Sequence, residues 1–363
     1  MKVKEITSAI EKVAPLYLQE SYDNAGMQVG DPDSVITGVV LCTDVRESIV
    51  DEAIACGANL IISHHPLIFR GIKKLTGRDY VERIVMKAIR HGVSIYSAHT
   101  NLDNARGGVS YKMAEKLGMT GVQVLDAQQG TQRKIVVFVP KAQAAQVEQA
   151  MWSAGAGVLG DYDRCSYRLE GEGRFHALEG ANPFAGEVGE DHVEAETRVE
   201  VLVNKARCSA VIAAMLKAHP YEEPAFDVIP LENEDRYSGS GVIGDIEEMD
   251  GKAFLLKLKE AFGVATVRFS GHLDRKVKRV ALCGGAGSFL AGKAMAMGAD
   301  AYVTGDMKYH EFQGNEHRII LADIGHWESE QFTKEIFASI IAGLNPDFPV
   351  NYAKEEQNQI QYI

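Results

Sequence analysis

Residues 58–66 read ANLIISHHP, an apolar run that stops at His64, His65 and Pro66. A short run of this kind, closed by a residue that cannot donate to a ladder, reads as a buried strand with its polar residues at the carboxyl end. Similar runs stand on either side, GVVLCT at 38–43 and GVSIYS at 92–97. Amphipathic spacing predicts helices over 6–17, 45–56, 80–91 and 108–117. The same rhythm returns after about residue 236, with helices over 251–262, from 288 and from about 327, and strands at 279–283, 301–304 and 318–323. Strands alternating with helices predict an α/β fold with a mixed, mostly parallel sheet flanked by helices.

An internal repeat interrupts that rhythm. KIVVFVPKAQAAQVEQAMWSA (134–154) superposes on RVEVLVNKARCSAVIAAMLKA (198–218) at a fixed offset, matching Lys141 with Lys205, Val147 with Val211 and Met151 with Met215. Each copy reads as a strand and a helix, followed by a further strand-like run at 163–170 or 225–231. Two such units make a split, ferredoxin-like α+β module. The expected organisation is a discontinuous core domain, 1–126 plus 236–363, with an inserted domain over 127–235. The acidic stretch 180–196 between the copies reads as a solvated loop with no assigned chemistry.

The chain has 363 residues, beyond the usual size of a single core. Its 38 Lys+Arg against 50 Asp+Glu give a net charge of −12, which repels phosphate backbones and anionic membrane surfaces and argues against nucleic-acid binding. The first residues, MKVKEITSAIEKV, do not form a signal peptide, and no run approaches the ~20 apolar residues of a membrane span, so a cytoplasmic location is expected. The five cysteines, Cys42, Cys56, Cys165, Cys208 and Cys283, form no C-x-x-C pair. Any metal would therefore be held by nitrogen and oxygen.

Three strand ends supply such donors. IISHHP offers His64 and His65, GVSIYSAHTNLD offers His99, Asn101 and Asp103, and IILADIGHWESEQF places His326 and Glu330 four apart at a helix start, on one face. Each alone has an ordinary explanation: a hydrogen-bonded core histidine, a helix-capping aspartate, a surface His-Glu pair. Among them, His64, His65, Asp103, His326 and Glu330 gather three imidazoles and two carboxylates at the carboxyl rim of an α/β sheet, where ligands collect. Five side chains exceed one tetrahedral site, and Glu330 can bridge two ions. Zinc, iron, manganese, cobalt and nickel all suit such donors. Asp44, Asp306 and His310 stand at neighbouring strand ends as groups that could support the ligands or touch a substrate. CGGAGS (283–288) could offer backbone N–H groups to an anion, although glycine at a tight turn explains it equally well. HPYEEP (219–224) reads as a structural turn rather than a second metal site.

Across essentially its whole length the chain resembles the Ngg-interacting-factor-three-like family, described as GTP cyclohydrolase 1 type 2 homologues. The resemblance is carried, in order, by SYDNAGMQVG, SHHP, SAHTNLD, GANPF, HPYEEPAFDV, CGGAGSF, TGDMKYHE and GHWESE. It implies a dinuclear centre of two divalent ions per subunit, with ligands at His64, His65, Asp103, His326 and Glu330. It also implies a toroidal homohexamer with the metal sites facing an internal cavity. Ser329 stands where members often carry threonine. The insertion is similar to PII and CutA-type modules of the longer bacterial members.

The expected function is metal-dependent hydrolysis, with Glu330 as the bridging carboxylate and a GTP-type ring-opening substrate suggested by the family name alone. No clear Lys/Arg cluster for a triphosphate stands beside the ligands, although Arg70, Lys73 and Lys74 follow SHHP closely, and phosphoesters and cyclic amides stay open. The alternative is a non-enzymatic hexameric metal-binding regulatory or scaffold protein that senses a small molecule through the inserted domain. A transcription-factor partner, implied by the family's historical name, fits the negative charge least.

Overall fold

Parallel strands form where the sequence carries small or apolar residues and reserves no alternate position for a charged, solvent-facing side chain. Val39–Cys42, Leu60–Ser63 and Ser94–Ser97 are buried at every residue, which requires cover on both faces of the sheet. The computed structural model describes residues 1–313, 318–361 and 363. It divides into two compact units, Met1–Ala127 with Arg236–Ile363, and Gln128–Asp235.

Within the first unit, one five-stranded sheet runs in the order Gly26–Val29, Ser94–Ser97, Leu60–Ser63, Val39–Cys42, Val350–Tyr352. Its strands are parallel except for the Gly26–Val29 edge. Strand alternation sorts the side chains between two cores. Val39, Leu41, Leu60 and Ile62 pack with the Val3–Val13 and Thr333–Leu344 helices. Val40, Cys42 and Ile61 face the Glu47–Ala55 and Tyr80–His91 helices. A one-residue slip would exchange the two sets, so burial on both faces fixes the register.

A second, six-stranded sheet of the same unit runs Arg268–Ser270, Ile320–Asp323, Ala301–Thr304, Lys276–Leu282, Asp235–Asp250, Thr120–Gln128. Its three central strands are parallel, with Arg268–Ser270 and Asp235–Asp250 antiparallel beside them. The core thus holds two sheets where the sequence rhythm predicts one. Periodicity marks strands but not their partners. The helix expected over 6–17 ends at Val13, because Pro15 cannot donate to the preceding turn. The helix expected from 327 begins at His326 and is broken after Glu330, resuming as Thr333–Leu344.

The second unit has the chain order strand Gln132–Pro140, helix Ala144–Ser153, strands Ser166–His176 and Asp191–Asn204, helix Cys208–Ala218, strand Phe226–Pro230. Its antiparallel sheet places the fourth strand beside the first and the second at the far edge. Val137, Val199, Val201 and Val203 pack with Val147, Met151, Val211 and Met215 of the two helices. The stretch read as a solvated loop at 180–196 is a loop only in part. From Asp191 it continues the long strand, paired to His176 and its neighbours, with alternating residues exposed.

Candidate metal centre

Each candidate ligand sits where a buried strand of the first unit runs out. His64 and His65 follow Leu60–Ser63, Asp103 ends the four-residue helix after Ser94–Ser97, and His326 opens the short helix after Ile320–Asp323. His64 is fully buried. Its Nδ1–H donates to the Ala98 carbonyl at 2.9 Å, which fixes the tautomer and leaves Nε2 unprotonated. That Nε2 has no hydrogen-bond partner, and neither has the buried Oδ1 of Asp103, 3.6 Å away. Two orphaned buried polar atoms facing each other are costly unless a cation lies between them.

Glu330 stands among three of the imidazoles. Its Oε1 is 3.5 Å from His64 Nε2, and its Oε2 is 2.9 Å from His65 Nε2 and 3.1 Å from His326 Nε2. The last two nitrogens are 3.4 Å apart. Donor atoms of His64, Asp103 and Glu330 converge closely enough to hold an ion, as do those of His65, His326 and Glu330, and those of His64, His65 and His99. The first two groups share Glu330.

Behind the ligands stand carboxylates. His65 Nδ1 donates to Asp44 and His326 Nδ1 donates to Asp306, each at 2.8 Å, so both rings turn Nε2 toward Glu330. Asp306 holds a positive φ of 53°, rare for a residue with a Cβ and typical of strained functional turns. The electrostatics follow from this crowding. Burial drives the Glu330 carboxyl up, but His64, His326 and His65 around it prevail and hold it well below the usual range. Burial and the Glu330 charge push Asp103 well above its ordinary value. Burial opposes charge on His65, yet Asp44 and Glu330 raise it to about 10; Glu330 and Asp306 likewise raise His326 to about 9 against burial. His64 is lowered by burial. Cys283 is pushed up to about 12 by burial and the Asp103 charge, so it stays a thiol.

The structure thus gathers His64, His65, Asp103, His326 and Glu330, with Asp44 and Asp306 supporting them. His310 does not join the cluster. The Lys308 N–H donates to Glu311 at 2.6 Å, closing a turn that leaves His310 exposed beside Gln313. CGGAGS is not a free anion cradle either. The N–H groups of Gly284, Gly285 and Gly287 are taken by the hydroxyls of Ser110, Ser329 and Thr304. Its role is space: at Gly285, with φ +64°, a Cβ would fall 2.3 Å from Glu330 Oε1. Ser329 keeps the hydroxyl function, donating to the His326 carbonyl at 2.7 Å. Sequence reasoning missed Asp23, from SYDNAG, which accepts from His99 Nδ1 at 2.8 Å and from the Thr100 N–H at 3.0 Å. Burial would raise Asp23, but these donors lower it to about 2.

Fold and cluster together define an α/β protein with a buried His/carboxylate group able to hold a divalent cation. The family follows from comparison: the chain belongs to Duf34/NIF3 (NGG1p interacting factor 3), whose model matches residues 1–359. A GTP cyclohydrolase 1 type 2 homolog of Halalkalibacterium halodurans is 41% identical over 308 residues, covering 84% of this chain and 82% of that protein. Its namesake in Bacillus subtilis is 40% identical over 309 residues, covering 85% and 83%. Among solved structures, a Bacillus cereus protein related to NIF3 superposes with a TM-score of 0.84 at 35% identity, over 100% of this chain and 99% of that one. Among the described residues no helix is long and apolar enough to cross a membrane.

Proposed function

We propose that this chain is a metal-dependent hydrolase built on a dinuclear centre, with one divalent ion between His64 and Asp103, another between His65 and His326, and Glu330 bridging them. The observation that carries the reading is the division of Glu330: Oε1 lies toward His64 and Oε2 toward His65 and His326. Cations held there supply Lewis acidity and an activated water, the chemistry of hydrolysis. Asp44 and Asp306 keep the His65 and His326 rings oriented through Nδ1. His99, whose Nδ1 is engaged by Asp23, is the group able to take or return a proton at Nε2. Phosphoesters and cyclic amides, including GTP-type rings, are the substrate classes. Arg70, Lys73 and Lys74, exposed on the segment after His65, would be the cations available to a phosphorylated substrate. A homohexamer, and a ferredoxin-like, PII/CutA-like character for Gln128–Asp235, belong to the same proposal. The strand and helix order of that unit supports its second half.

The test is metal content per chain, measured on protein purified without a His-tag, beside a hydrolysis screen on nucleotides, phosphoesters and cyclic amides. About two ions per wild-type chain are expected. Glu330→Ala, which removes the bridge, is expected to lose both ions and any turnover while keeping its oligomeric size. Wild-type protein that holds no stoichiometric metal after zinc, manganese or iron is added back sinks the dinuclear reading. Metal without turnover on any class leaves the regulatory alternative.

A further inference from the structure

In Ser166–His176 the sequence EGEGRF (170–175) sets glycine at two successive positions of one strand face, followed there by Phe175. The register pairs Gly171 with Glu196 and Phe175 with His192. Val199, Val201 and Val203 face the helices, so Glu196 and Arg198 lie on the opposite face of the sheet with Gly171, Gly173 and Phe175. The glycines leave room for Glu196: a Cβ on Gly173 would sit 2.3 Å from its Oε2.

On this side of the Gln128–Asp235 unit lies a cavity of about 450 Å³, within the range of small-molecule pockets. GANPF and HPYEEP, which the metal centre does not use, contribute to its wall. They are tied together where the Asn182 N–H donates to Glu222 Oε1 at 3.0 Å. Tyr221 stands between Phe175 and Phe184, with ring centroids 6.1 and 6.2 Å away. Its hydroxyl donates at 2.9 Å to Glu196, a carboxylate only 9% exposed. One hydrogen bond leaves such a carboxylate most of its acceptor capacity. The wall carries Glu172, Glu196, Glu222 and Glu223 against Arg174, which is itself within 3.9 Å of Glu172. Arg198, stacked on Phe138, is engaged by Glu200 at 2.8 Å.

We propose that this cavity binds a small organic cation, an ammonium or guanidinium head on an apolar body. Aromatic faces attract a cation through their quadrupole, and the buried Glu196 gives it a charge-assisted hydrogen bond. An anion would meet three carboxylates that Arg174 does not offset. His219 shapes the turn without coordinating: Nε2–H donates to the Phe138 carbonyl and Nδ1 accepts from the Tyr221 N–H, so both ring nitrogens are used. The site lies wholly within one unit, and its reading is independent of the metal centre.

The test is saturation-transfer NMR on the full-length chain with benzylammonium, its neutral analogue benzyl alcohol and its anionic analogue benzoate. Benzylammonium is expected to bind, benzoate not at all, and benzyl alcohol at least about tenfold more weakly. Glu196→Gln is expected to weaken benzylammonium by about tenfold while leaving benzyl alcohol unchanged. Phe184→Ala is the second variant. Phe184 is 54% exposed, so its removal spares the fold, and it is expected to weaken benzylammonium as well. No transfer to benzylammonium, equal binding of the three probes, or undiminished binding in both variants overturns the proposal.

Discussion

Two histidine-carboxylate clusters look alike on paper, SHHP and HPYEEP, each with imidazole beside proline and acid groups at hand. They differ in what the ring nitrogens already do. His219 spends both on the backbone, between the Phe138 carbonyl and the Tyr221 N–H, and burial lowers its pKa. His64 spends only Nδ1, and its Nε2 faces the orphaned Oδ1 of Asp103. His65 gives Nδ1 to Asp44 and directs Nε2 at Glu330. The difference is that backbone groups occupy both nitrogens of His219, whereas His64 and His65 each turn one nitrogen toward a carboxylate of the candidate centre.

The comparison breaks most visibly at the carboxylates behind the rings. Asp44→Asn and Asp306→Asn are each expected to lower metal affinity by about 10- to 100-fold, whereas His219→Ala leaves it unchanged. Chelator-competition titration reads the difference, and a loss of affinity in His219→Ala would erase the distinction.

A smaller, opposite pair of effects is expected in the stability of chelator-treated protein against pH. His65 and His326 have folded values raised to about 10 and about 9 from an ordinary 6.5. Their contribution is complete below 6.5 and lost as pH climbs through about 9 to 10. His219 is lowered, so its contribution is present above 6.5 and lost as pH falls through its folded value. Thermal melts of His65→Asn and His219→Asn across pH should remove the alkaline and the acid loss respectively; the reverse assignment contradicts the tautomers described above. The smallest effect belongs to His310→Ala, which is expected to change neither metal content nor melting temperature by more than experimental error.

The candidate ligands are legible because His64 and His65 close an apolar run, while Asp103, His326 and Glu330 follow such runs within a few residues. Asp44 and Asp306 were legible for the same reason. His310 misled because it follows the same kind of run, but a side-chain contact from Glu311 closes the turn first. Asp23 lies in a loop without periodicity, 76 residues from His99, and no spacing rule connects the two. The division of the core into two sheets was equally silent, since strand pairing depends on partners distant in sequence. The Asp191–Glu196 segment reads as a loop because it carries three acidic residues and few apolar ones, so its alternation of exposed and more covered residues leaves no hydrophobic periodicity.

Glu330 meets His65 from 265 positions away in the chain. On a ribosome, the imidazoles after the Leu60–Ser63 strand are synthesised long before the carboxylate that joins them to His326. Until then the nascent segment carries only part of the cluster, and any metal it met would be sorted by the intrinsic preference of imidazole among divalent ions. Discrimination by geometry would begin only once the later strands have docked. Under the dinuclear proposal, metal choice would therefore fall to the finished protein rather than to the growing one.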